Sequence, residues 1–200
     1  KINFILKLFI RCLLPLLLIN IGCQKSNFSN SKNEISIDSI FKSYYDFKLQ
    51  TNPIEATKSG DNKYNDRIEN YISKEYQDNL IHRYKEYLNL LNKYDSLDVT
   101  PEQWVSIQVM TWDCTIKKEG LENNLITISS PVYDLPSFEL MPLIQVQSLH
   151  LYFSQLATGK SVHPFNSLKD YKDWISRVDN YLPFLDTCIS KMRKGMVEGI

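Results

Sequence analysis

The sequence predicts an all-α protein, an irregular multi-helix array. Three observations predict it. From Ile35 onward, apolar residues recur at spacings of three and four, the period of a helix that buries one face. Helix-start residues stand just before those runs, at Ser36, Asn52, Ser73, Thr100 and Ser167. Only 6 glycines occur in the 200 residues, too few for a protein built from many tight hairpins.

The elements follow in order. Ile37, Ile40, Phe41, Tyr44 and Phe47 share one helical face, with Ser36 as the cap. In "TNPIEATKSG", Asn52 caps a short helix, Pro53 suits its first turn and Glu55 sits near the positive end of the dipole. Gly60 can end that helix in the left-handed conformation, and "DNKYNDR" then reads as a turn. Ser73 opens a longer helix whose apolar face carries Tyr76, Leu80, Ile81, Tyr84, Tyr87, Leu88, Leu91 and Tyr94. After "DSLDV", Thr100 to Gln103 form a capping box with Pro101 in the first turn. The following "WVSIQVMTWDCTI" is apolar almost all round, which predicts a central helix.

Pro131, Pro136 and Pro142 forbid a regular helix before about residue 142. The stretch around residues 126–142 therefore reads as a long ordered connection, in which "LITIS" could be a short strand without a visible partner. "LIQVQSLHLYFSQL" returns to helix and ends near Gly159. Ser167 with Asp170 caps the last element, where Leu168, Tyr171, Ile175, Val178, Leu182, Leu185, Ile189 and Met192 form a nearly clean seam. Pro183 lies inside it and predicts a kink or break near Tyr181 to Leu182. Lys191, Arg193 and Lys194 suit the negative end of that helix.

The first segment reads as an address. Lys1, Lys7 and Arg11 precede an apolar run from Cys12 to Gly22. That run has the length of an export signal, ~7–15 residues, and falls short of the ~20 a membrane span needs. Gly22–Cys23 resembles a bacterial lipobox, with Asn20 where an aliphatic residue is usual. The expectation is a lipoprotein signal peptide over residues 1–23 with Cys23 as the lipidated residue, a polar tether over 24–34, and a helical domain over 35–200. The alternative is an ordinary N-terminal anchor with an incidental cysteine. The lipoprotein reading places the protein in the bacterial cell envelope, lipid-anchored, facing the periplasm or the cell surface.

Charge and motifs exclude several classes. With 23 basic and 23 acidic residues the formal net charge is +0, so no field draws in nucleic acid, and no nucleic-acid partner is expected. Hydrophobic residues make up 43% of the chain, enough for a core. His82, His150 and His163 are dispersed: the first on a polar face, the second in an apolar run as a satisfied buried or half-buried group, the third in a loop before Pro164. No catalytic, cofactor-binding or metal residue is assigned in this segment. Cys114 and Cys188 lie in apolar helical contexts and read as buried free thiols, with a disulfide as the alternative. "GDNKYNDR" lacks the spacing of a calcium loop and reads as a turn with Asp66 beside Arg67. The tyrosines read as core-edge residues whose hydroxyls reach water.

Two blocks carry a family resemblance. The first runs from Phe41 and Tyr45 through Pro53, Ala56, Thr57 and Gly60 to Tyr64, Asp66 and Arg67. The second holds Phe165, Asp170, Tyr171, Trp174, Ile175, Arg177, Ile189, Met192, Arg193, Gly195 and Gly199. Together they resemble bacterial proteins of the domain-of-unknown-function 885 family. The resemblance implies a mainly helical, often exported protein, longer than this chain. It also implies a later HExxH helix that binds zinc with a further acidic ligand, so the full-length form would be a zinc peptidase acting on peptide-like substrates. On that reading the chain is the N-terminal portion of a zinc-peptidase-like domain. Its seam would pack on the C-terminal half of the same chain, and no catalytic or zinc residue of the family maps onto this segment. Without the resemblance, the residues equally suit a non-enzymatic helical envelope lipoprotein acting as a binding or scaffold module.

Overall fold

A computed structural model describes residues 35–123, 140–143 and 149–199. Residues 1–34, on which the expected leader, Cys23 and tether fall, and the proline-rich stretch up to residue 139 lie outside the described residues. Those that are described form one compact unit. Its helices are α1 (Ile37–Thr51), α2 (Pro53–Lys58), α3 (Lys74–Leu91), α4 (Pro101–Glu122), α5 (Leu149–Leu156) and α6 (Leu168–Glu198), with a 3-10 turn at Asn62–Tyr64. The all-α class holds, and the helix boundaries follow local chemistry. Ser36, Asn52, Ser73, Thr100 and Ser167 each accept a backbone N–H of the first turn. Thr100 with Gln103, and Ser167 with Asp170, form complete capping boxes. Gly60 follows α2 at φ 82° and Gly199 follows α6 at φ 79°, left-handed values that an L side chain resists.

Two main cores organise the described helices, with a small third cluster of Leu49, Ala56 and Tyr64 beside them. In the first, α1, α3 and α4 enclose Ile40, Tyr44, Phe47, Tyr87, Leu91 and Met110. Phe47 and Tyr84 meet edge to face, as do Tyr44 and Tyr87. Lys85 on α3 pairs with Glu122 on α4 at 2.7 Å. The second core packs α5 and α6 on Ile54 and on the segment from Ile68 to Ile72. A ladder of rings runs through it: Trp174 on Phe153 at 4.9 Å, Phe153 on Tyr181 at 4.3 Å, Tyr181 on Phe184 at 5.4 Å. Cys114 and Cys188 are buried free thiols, one in each core. Burial pushes them up to about 11 and about 12, so both are protonated at neutral pH.

Several expectations are corrected. α4 is not enclosed: Val105 (61% exposed), Val109, Trp112 (64%) and Ile116 form an outward apolar stripe opposite Ile107, Met110 and Cys114. The all-round apolar pattern reports two apolar faces, of which only one has a partner among the described residues. α6 runs through Pro183 without a break. Proline forfeits one N–H bond to the preceding turn at a cost of about 3 kcal/mol. Burial of Tyr181, Phe184 and Cys188 around it, and the bond from Asn70 Nδ2 to the Pro183 carbonyl (3.1 Å), hold the helix together. Four tyrosine hydroxyls, two on buried and two on half-buried residues, find protein acceptors rather than water, whereas that of Tyr181 is buried with no partner among the described residues. Tyr44 donates to Asp113, Tyr76 to the Thr51 carbonyl, Tyr87 to the Ser43 carbonyl and Tyr94 to the Ile35 carbonyl. No basic residue occupies the last turn of α6, because the helix extends beyond Lys194 to Glu198.

The α6 seam is the other outward apolar surface. Leu168, Tyr171, Ile175 (60%), Leu182 (54%), Ile189 and Met192 are exposed, while Arg177, Tyr181, Phe184 and Cys188 face inward. No helix among the described residues is long and apolar enough to cross a membrane.

Candidate functional site

The site with the most polar chemistry is built around Arg177. It projects from the inward face of α6 and is fully buried. A guanidinium out of water needs acceptors, and its fork finds four. Nε donates to the Arg67 carbonyl at 3.0 Å. Nη2 donates to the Tyr64 carbonyl at 2.8 Å and to Thr57 Oγ1 at 2.9 Å. Nη1 meets His163 Nδ1 at 3.3 Å. Thr57 passes its own proton to Asn65 Oδ1 (2.6 Å) or to the Pro53 carbonyl (2.9 Å), and Asn65 in turn donates to Asn62 Oδ1. The turn from Asp61 to Arg67 is thereby fixed to the end of α2 and to α6. Burial pulls the guanidinium down to about 10, opposed by the charges of Asp66 and Asp173, so it stays protonated at neutral pH.

His163 completes the network. Arginine can only donate and a carbonyl can only accept. The ring therefore accepts from Arg177 on Nδ1 and donates from Nε2 to the Asp170 carbonyl (3.3 Å). Phe165 and Trp174 pack around it. Burial chiefly holds this imidazole below its ordinary value. The Asp170 carbonyl opposes that shift, the Arg177 charge reinforces it, and the charges of Asp170 and Asp173 oppose it. A depressed folded value contributes stability that is fully present above pH ~6.5 and is lost as pH falls through the folded value. Urea midpoints should therefore drop on acidification from pH 7 to 5 more steeply in the natural chain than in His163→Gln. Parallel profiles would remove His163 from the acid response.

The three histidines do not converge. His82 is exposed on α3 beside Glu86 at 3.4 Å. His150 is half-buried on α5 with Nδ1 shielded and lacking a hydrogen-bond partner, so it is not the satisfied group its context predicts. His163, read as a loop residue, is 1% exposed and has both ring nitrogens engaged. No group of three or more His, Cys, Asp or Glu among the described residues stands where it could hold a metal ion. These side chains do not fit a catalytic zinc, which needs about three converging ligands and an open position.

The residues that do converge are those of the two sequence blocks: Pro53, Ala56, Thr57, Tyr64 and Arg67 from one, Trp174 and Arg177 from the other. Residues 53–200 match the sequence profile of a family described as "Bacterial protein of unknown function (DUF885)". The chain belongs to this DUF885 family. No curated protein and no solved structure matches it. Within the DUF885 match, the shared residues have legible physical roles. Ala56 is fully buried where α2 meets Leu49 and Tyr64. Gly195 lets the Leu140 backbone approach α6, since a Cβ there would stand 3.0 Å from the Leu140 carbonyl oxygen. Asp66 lies 3.5 Å from Arg67, as its sequence position predicts. In sequence only the chemistry of the turn was visible; its clamp, Arg177, is 110 residues away.

A further concave feature among the described residues is a cleft of about 460 Å³ bounded by α1, α2, the segment around Ile68–Tyr71, α3 and the end of α4. Its walls combine tyrosines and aliphatic side chains with Lys48, Lys117, Glu55 and Glu69.

Proposed function

We propose that the chain is the N-terminal helical scaffold of an exported lipoprotein whose full-length form is a zinc-dependent peptidase cleaving peptide or peptide-like amide bonds. Cys23 would carry its lipid in the bacterial cell envelope, facing the periplasm or the cell surface. Membership of the DUF885 family supports the assignment of class. The observation that carries the scaffold role is the outward seam of α6. A helix apolar on both sides belongs to the interior of a larger helical domain. Further helices of the same protein would cover Ile175, Leu182 and Ile189. They would bring the HExxH histidines and the acidic ligand, which the residues described here do not supply. Arg177 and its turn would hold one wall of the domain rigid and would not touch substrate.

The test uses the full reading frame with Cys23→Ser. It should bind about one zinc per chain by elemental analysis and hydrolyse peptide substrates, and hydrolysis should vanish when the Glu of the HExxH is changed to Gln. The same Cys23→Ser change should abolish palmitate labelling in cells. A full-length protein without zinc and without hydrolysis would hand the assignment to a non-enzymatic envelope scaffold, and label persisting in the variant would remove the anchor.

A further inference from the structure

The cleft between α1, α2, α3 and α4 holds a carboxylate with nothing to bind. Glu69 is half-buried in its wall and has no hydrogen-bond or ion-pair partner among the described residues. Burial raises its affinity for a proton; the nearby charge of Arg67 acts the other way, but Arg67 is engaged with Asp66. Of the other charged groups at the cleft, Lys48 lies over the Tyr44 ring at 5.7 Å and the remaining two are paired. Glu55 pairs with Lys58 at 3.3 Å and Lys117 with Asp113 at 2.8 Å. Lys48 and Lys117 both act on Asp113, which places positive charge on the α1–α4 side, whereas Glu69 acts on Tyr76. Tyr76 spends its hydroxyl on the Thr51 carbonyl at 2.6 Å and so offers the cleft its ring. Ile54, Leu80 and Tyr84 continue that apolar wall.

A largely apolar cleft of this size with one unpartnered carboxylate is the ordinary form of a small-molecule site. At the Glu69 end the charge is negative and Tyr76 stands near it, a combination that favours an organic cation over an anion or a neutral ligand. We propose that this cleft binds a primary ammonium ion carried on an apolar body. The ammonium would sit at Glu69, and the body would lie against Ile54, Leu80 and the rings of Tyr76 and Tyr84. The site owes nothing to zinc or to peptide hydrolysis.

The test is calorimetric titration of the full chain with phenethylamine, 2-phenylethanol and 3-phenylpropionate, which share one apolar body and differ in charge. The amine should bind at least about tenfold more tightly than the alcohol, a difference of about 1.4 kcal/mol, and the carboxylate more weakly still. Glu69→Gln should bring amine and alcohol to parity. Glu69→Asp should keep the order with a smaller ratio, and Glu55→Gln should leave it unchanged. Equal binding of amine and alcohol by the natural chain, no binding of the amine, or a preference that survives Glu69→Gln would each overturn the proposal. If Glu69→Gln fails to melt cooperatively, the ratio in Glu69→Asp decides: an unchanged ratio overturns the assignment to this carboxylate.

Discussion

Arg177→Ala should lose about 3–5 kcal/mol of stability, the range for breaking a buried charged network on one side. The variant leaves the Tyr64 and Arg67 carbonyls, Thr57 Oγ1 and His163 Nδ1 shielded from water without their donor. It also opens a cavity of arginine size beneath α6. Arg177→Lys should recover little, because an ammonium on a flexible stem cannot reach acceptors spread around a planar fork. Urea unfolding followed by circular dichroism reads the loss. A cost of less than about 1 kcal/mol for Arg177→Ala would mean that water replaces the guanidinium freely and that the turn needs no clamp.

Phe184→Ala should cost about 3–5 kcal/mol and Leu182→Ala less than about 1 kcal/mol, although the two residues are neighbours on one helix. Phe184 is fully buried between Tyr181 and Tyr71, with ring centroids at 5.4 and 5.2 Å. Leu182 is on the outward seam. Thermal and urea unfolding of the two single variants measure the contrast. Equal costs would show that the seam is covered in the folded chain and that the rotation of α6 about its axis differs from the one described.

The second contrast also shows what sequence can and cannot specify. Caps were legible because their partners lie within four residues, so Ser36, Asn52, Ser73, Thr100 and Ser167 could be read directly. The helical period was legible too, but period locates a face without naming its partner. On α6 the pattern exposes the Leu168–Met192 seam, and on α4 it reads as a helix apolar all round. Only the packing of α1, α3 and α4 shows that Val105 and Trp112 look outward. The Arg177 network was illegible for a different reason. Its acceptors are mostly main-chain carbonyls, which every residue possesses, so no residue type marks them. The available signal was an arginine one turn after Trp174 and one turn before Tyr181, on a face that otherwise buries apolar groups. His163 was hidden likewise, since a histidine before a proline carries no mark of the guanidinium it will face. The cleft could not be foreseen at all, because its walls come from segments that only the fold brings together.

The reach of Arg177 across the chain has a kinetic consequence. Its bonds to Arg67 and Thr57 span 110 and 120 residues, while α1, α3 and α4 meet over shorter separations. Closing a loop of that length costs about 4 kcal/mol of chain entropy before any contact rewards it. The three-helix core can therefore assemble first, with α5 and α6 docking onto it later and the guanidinium closing the last gap. On that order, interactions of Arg177 are absent from the rate-limiting barrier and act as a latch on the way out. Its loss would leave the folding limb of a chevron nearly in place and raise the unfolding limb, so the arginine sets how long the native state lasts more than how fast it forms.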